Sequence, residues 1–217
     1  MSKSIVFFGH EHHGKSTLLG YLYSCDVMMD VEGMDSYFKS IRAKYDPTDL
    51  YALIFSYETD NSKFGGRGNT TKTNRHKMIE YDFFDTPGHD GFYDERDKGL
   101  AYGDIGVFCI EASEFSDNST FDEAKYSLIL KQWIITGKKL IIALTKMDKE
   151  NVNFSQSLYG SACAKIRALK GCDSAPIIPV AVLVKARRAI NLILNNPSEM
   201  SWYKGKSLTE AIEAVQS

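Results

Sequence analysis

Residues 7–17 read FFGHEHHGKST, and the fold turns on how this stretch is read. From Gly9 to Ser16 it fits the spacing GxxxxGK[ST], after an apolar run and before a helical pattern, the setting in which backbone N–H groups cradle phosphates. By ordinary residue frequencies the four fixed positions arise by chance in roughly one chain in a hundred of this length, and the strand-before, helix-after setting makes chance rarer still. Gly9 and Gly14 let the backbone curl with its N–H groups inward, Lys15 adds a mobile cation for the outer phosphates, and Ser16 offers a hydroxyl to Mg²⁺. A zinc site built from His10, His12 and His13 would want an i,i+4 pair on one helix or further ligands at short spacing, and neither is present. The three histidines are therefore expected to flank phosphates, in one binding set with Gly14, Lys15, Ser16 and Thr17.

Outward from this loop, short apolar runs recur at 4–9, 78–85, 104–112, 139–144 and 176–182. Amphipathic helical stretches at 14–25, 90–102, 119–136, 153–170 and 205–216 fall between most of them. That alternation predicts an α/β fold, a mostly parallel sheet flanked by helices in three layers, with the loops that follow the strands gathered along one edge. The span 26–75 interrupts it. Helix is expected in DSYFKSIRAKY (35–45) and TDLYALIFSYE (48–58), with Asp35 and Thr48 as N-caps and Pro47 at a boundary. The Gly-, Ser-, Thr- and Asn-rich TDNSKFGGRGNTTKTN (59–74) reads as a mobile loop, and a loop this long inside a compact domain tends to be functional.

The 217 residues, 43% hydrophobic, suffice for one well-packed domain over 1–217, and no linker-like stretch divides them. A formal charge of −2 and a pI near 6.2 exclude a global attraction to nucleic acid or anionic membrane. The basic runs Lys138-Lys139 and Lys185 to Arg188 read as solvated faces. MSKS leads straight into IVFF, too short for a signal-peptide core, and no run reaches the roughly 18 apolar residues of a membrane span. A soluble, cytoplasmic protein with no membrane partner is expected. Cys25, Cys109, Cys163 and Cys172 lack ligand spacing and read as free thiols in a reducing compartment.

Two further constellations carry chemistry. In FFDTPGHD (83–90) an acid ends an apolar strand and Gly88 follows in a tight turn, so Asp85 can support Mg²⁺ through water and the Gly88 N–H can sense a terminal phosphate. In ALTKMDK (143–149), Asp148 can accept two hydrogen bonds from the guanine edge, a pattern adenine does not offer, while the Lys146 stem covers one base face. Together they favour GTP over ATP.

These motifs resemble the G domain of the translational GTPases, of the elongation factor Tu and elongation factor 1-alpha kind, and the resemblance covers nearly the whole chain. GHEHHGKST resembles the family's GHVDHGKST, DTPGHDGF its D[TAC]PGH.xF, and TKMD its NKMD. RGNT (67–70) takes the place of RGIT in the first switch, and SWYKGKSLTEAI (201–212) is similar to a segment of the archaeal and eukaryotic factors and their termination and rescue relatives. The resemblance implies a P-loop G-domain fold with a helical insert in the first switch. It also implies GTP and GDP as ligands, Mg²⁺ held by Ser16 and Thr70 with Asp85 behind water, and His89 orienting the attacking water. Base contacts are implied for Thr145, Lys146, Asp148 and the loop Ala181-Val182-Leu183, and the ribosome, with tRNA-like or release-factor partners, is the implied partner if further domains exist.

Several positions depart from the family pattern. Thr145 stands for asparagine, which is expected to weaken the loop's internal hydrogen bonds. Ala181-Val182-Leu183 stands for Ser-Gly or Ser-Ala, and His12 for aspartate. Only 14 residues separate Thr70 from Asp85, so the usual antiparallel edge hairpin is expected to be short. The family's apolar gate residues are Glu11 and Asn69 here, either a polar latch or a site in which hydrolysis is no longer selected. Three functions follow: a slow GTPase of translation, a GTP-dependent protein-binding switch with little hydrolysis, or a regulatory GTPase subunit of a metabolic enzyme.

Overall fold

The structure is a computed structural model that describes residues 3–19, 53–60, 78–88, 90–116, 119, 121–182 and 198–215. Six strands form one sheet in the order β2-β3-β1-β4-β5-β6. β1 (Lys3–Phe8) lies parallel to β3 (Met78–Asp85) and to β4 (Ile105–Glu111), and β5 (Lys139–Thr145) and β6 (Ile177–Pro179) extend the parallel run. β2 (Leu53–Asp60) closes the other edge antiparallel to β3. Helices flank the sheet: α1, described over 15–19, α2 (Tyr93–Tyr102), α3 (Glu123–Ile135), α4 (Gln156–Ala168) and α5 (Leu208–Ala214).

Burial on both faces explains why the strands read as continuous apolar runs. Every residue of β4 is buried, as are the last five of β5. Phe8, Phe108 and Trp133 pack together in the core with tilted rings, the centroids of Phe108 and Trp133 lying 5.0 and 5.5 Å from that of Phe8. Gly106 makes room for the indole: a Cβ there would lie 2.7 Å from Trp133 Cζ2. The starts of α3, α4 and α5 follow side-chain caps, Asp122 accepting from Lys125 N at 3.0 Å, Ser155 from Leu158 N at 3.2 Å, and Ser207 with Glu210 in a capping box.

Two expectations are corrected. The stretch 48–58 was expected to be helical, yet residues 53–58 belong to β2, which pairs over eight residues from Leu53 opposite Asp85 to Asp60 opposite Met78. The ladder satisfies the N–H and C=O groups that β3 presents on its outer side, a non-local gain that local periodicity does not register. The hairpin expected to be short, between Thr70 and Asp85, instead has a full-length partner upstream, so RGNT falls in the β2–β3 connection. Residues 20–52 and 61–77, with the proposed helix at 35–45, Asn69 and Thr70, lie outside the described residues, as do His89 and Leu183. Among the described residues no helix is long and apolar enough to cross a membrane.

Candidate nucleotide site

The parallel register brings the C-terminal ends of β1, β3, β4 and β5 to one edge, with the loops after them. Where the chain leaves β1, Gly9 has φ 139° and a Cβ on it would strike the Cys109 carbonyl oxygen of β4, so only glycine passes. His12 and Gly14 also take positive φ, 61° and 81°, and the curl delivers Lys15 to the start of α1, where Leu18 N donates to Gly14 O at 2.8 Å. Lys15 is buried, and Nζ donates to the His10 carbonyl at 2.7 Å across the loop. Burial pushes its pKa below the usual lysine value, while the Asp85 charge opposes that; Arg96 of α2 is among the charges that reach it.

Ser16 Oγ donates to Asp85 Oδ2, joining the loop to the end of β3. Thr86 fastens the exit of β3 to β1, its N and Oγ1 donating to Phe7 O at 3.1 and 2.9 Å. Gly88 then lies on the loop itself. Glu11 N donates to Gly88 O at 3.0 Å, and a Cβ at Gly88 would meet Lys15 Nζ and, at 2.6 Å, the His10 carbonyl carbon.

At the other end, a cavity of about 300 Å³ opens beside α1. Gly14, Thr17 and Leu18 form one wall, Thr145, Lys146, Asp148 and Lys149 another, with Val180 and Val182 across from them. Thr145 Oγ1 lies 2.8 Å from His13 O and 3.2 Å from Ile110 O, so the residue expected to weaken the loop ties the phosphate loop to β4 and β5. Met147 N donates to Val180 O at 3.2 Å, fixing the TKMD loop to the segment after β6. Asp148 is half-buried; burial raises its pKa, and Lys146 and Lys149 pull it back. Ala181 is fully buried.

The histidines separate. His13 is buried, its ring centroid 6.0 Å from Tyr126 and 5.5 Å from His10, and burial pushes its pKa down to about 3. Its imidazole is a neutral group packed against β4 and α3. His12 is exposed and His10 half-buried. Among the described residues no three His, Cys, Asp or Glu side chains gather in a metal-binding group.

Glu111 was not foreseen. At the end of β4, its Oε2 meets Lys146 Nζ at 2.6 Å, and its Oε1 accepts from Lys149 and Ser113. Burial works to raise this carboxyl, but the three hydrogen bonds outweigh it and hold the pKa down to about 2. Lys146 is thereby tethered with its stem along the cavity. The signal was in the sequence: an acid ending the apolar run GVFCIE, at the same edge as Asp85 and Thr145.

A phosphate-type loop on the C-terminal edge of a parallel sheet, a Ser16–Asp85 pair and a base-sized cavity closed by Asp148 define the P-loop nucleotide-binding class. Residues 2–182 match the family model described as Elongation factor Tu GTP binding domain, and the chain belongs to that family. It is 27% identical to Elongation factor 1-alpha of Aeropyrum pernix over 98% of this chain and 49% of that protein. It is 25% identical to the Eukaryotic peptide chain release factor GTP-binding subunit of Debaryomyces hansenii over 98% of this chain and 31% of that one. A crystal structure of Sup35 complexed with GMPPNP shares the fold, at TM-score 0.58 and 20% identity, over 98% of this chain and 45% of that one. The chain spans about half the length, or less, of these relatives.

Proposed function

We propose that this chain is the GTP-binding, slowly hydrolysing switch domain of a translation factor, working with the ribosome and a tRNA-like or release-factor partner where further domains are attached. The observation that carries this reading is the single Thr145–His13 link, which sets a loop built for phosphates and a carboxylate suited to guanine at the two ends of one cleft. The relatives' names supply the translational setting.

In this reading, Lys15 and the loop N–H groups bind the phosphates, Asp148 the guanine edge, and Lys146 one face of the base, with the backbone at 181–183 beside it. The converging Ser16 hydroxyl and Asp85 carboxylate are hard oxygen donors that fit Mg²⁺, Ser16 directly and Asp85 through water. Bound there, Mg²⁺ neutralises charge on the phosphate oxygens. Lys15 Nζ donates to His10 O with Gly88 packed beside it, so a terminal phosphate competes with that carbonyl for the lysine and presses on Gly88, whose displacement is the switch. His89, next in sequence, orients the water. Thr70 completes the proposed Mg²⁺ set; it stands eight residues before Met78, a reach of at most about 29 Å.

A second reading, a protein-binding switch with little hydrolysis, is favoured by Glu11, whose charge is among those acting on Lys15 and would stand beside the phosphates. Single-turnover GTP hydrolysis with and without ribosomes separates the two. The translational reading predicts stimulation of roughly 10³- to 10⁵-fold that is lost in His89→Ala, with Thr70→Ala weakening Mg²⁺-dependent GTP binding. No stimulation leaves the second reading, and unchanged binding in Thr70→Ala removes that residue from the site.

A further inference from the structure

α2 carries a buried cation that the reading so far leaves without a task. Arg96 is 3% exposed, and among the described residues its Nε has no hydrogen-bond partner. Asp97 holds its Oδ1 at 3.7 Å from that nitrogen, beyond hydrogen-bond reach, on a side chain 36% exposed. A buried guanidinium is stabilised when its donors are met by a carboxylate or phosphate, and is costly otherwise.

Its direction is also fixed. Long side chains on a helix lean toward the N-terminus, onto the residue one turn back. Arg96 does so: its Cζ lies 4.8 Å from the centroid of the Tyr93 ring, in the first turn of α2. The guanidinium therefore leans toward the end of α2 that follows Gly88, and Gly88 is the residue packed on Lys15 and the phosphate loop. Lys15, 6% exposed, is a second buried cation on the same side, and the positive end of the α2 dipole adds to both. The Arg96 charge reaches Lys15 and works against the Asp85 and Glu11 charges that favour the protonated lysine, so the two buried cations repel each other and an entering phosphate relieves that repulsion.

Resting on the reading of this cleft as a GTP site, we propose that Arg96 is a second cation for the terminal phosphate, a chain-borne arginine that senses the γ-phosphate and not the base or the inner phosphates. The base cavity lies at the opposite end of the phosphate loop, beside Thr145 and Asp148. The Asp85–Gly88 segment that leads to α2 meets the loop at Lys15. Arg96 therefore distinguishes triphosphate from diphosphate, alongside Gly88.

The test uses Arg96→Met, which keeps the bulk and removes the charge, and Arg96→Lys, which keeps the charge without the planar fork. Affinities for GDP and for the non-hydrolysable analogue GMPPNP are measured with Mg²⁺ by titration calorimetry, beside thermal melts of the nucleotide-free chain. The expected result is a roughly 10- to 100-fold loss of GMPPNP affinity in Arg96→Met with GDP affinity within about 2-fold, and an intermediate loss in Arg96→Lys. The nucleotide-free Arg96→Met chain should melt at or above the wild-type temperature, because an incompletely paired buried charge has gone. An unchanged GMPPNP-to-GDP ratio in both variants, or equal losses for both nucleotides, overturns the proposal; should Arg96→Met fail to fold, the ratio in Arg96→Lys decides alone. Wild-type chain that binds neither nucleotide overturns the GTP reading and this proposal with it, whereas wild-type binding with an unchanged ratio overturns this proposal only.

Discussion

His13 couples the phosphate loop to pH through its burial. Folded, its ring stays neutral down to about pH 3; unfolded, a histidine takes its proton near 6.5. Below 6.5 the unfolded chain binds the extra proton, so the contribution is complete above 6.5 and is lost as pH falls toward 3, by up to about 1.4 kcal/mol per unit. Urea midpoints of the wild type should therefore drop between pH 7 and 5, and more steeply than those of His13→Gln. Equal slopes would show that His13 takes a proton without unfolding the chain. Nothing in HEHHGK says which imidazole goes inside, since that depends on β4 and Tyr126, more than 90 residues away. Thr145 was harder still. The sequence shows asparagine replaced by threonine, but only the fold shows the hydroxyl beside His13 O, keeping a link between base loop and phosphate loop.

Strands and helices were legible where burial is two-sided and caps are explicit. β4 and β5 fall within one residue of the apolar runs that announce them, and α3, α4 and α5 begin after caps of the usual chemistry. β2 was not legible, because LIFSYE also suits a helix and the competing term is the ladder to β3. One tight contact between elements in the core is Gly106 under Trp133. Gly106→Ala forces an indole held on both sides by Phe8 and β4 to shift, and should lower stability by about 1–3 kcal/mol in chemical denaturation. Truncating the indole in the same chain, Gly106→Ala with Trp133→Leu, should make the two changes non-additive; additive losses would show that alanine is accommodated without moving the tryptophan.

Across the whole molecule, the parallel sheet collects on one edge what the chain scatters over 140 residues: the loop after β1, Asp85 after β3, Glu111 after β4 and TKMD after β5. The motif residues of the site were legible because their chemistry is written in short spacings. Glu111 was signalled only as an acid ending an apolar run and Arg96 not at all, because their meaning depends on which strand end or helix turn faces the cleft. The central claim is that this cleft selects guanine through Asp148, since a site built to hydrogen-bond one base edge rejects a base lacking it by roughly 10⁴- to 10⁵-fold. Titration calorimetry of the chain with GDP and ADP, repeated on Asp148→Asn with xanthosine diphosphate, tests it most directly. The account predicts GDP binding with ADP undetectable at matched concentrations, and a preference turned toward the xanthine nucleotide in the variant, whose amide donates to the added carbonyl. Comparable GDP and ADP affinities in the wild type would contradict it.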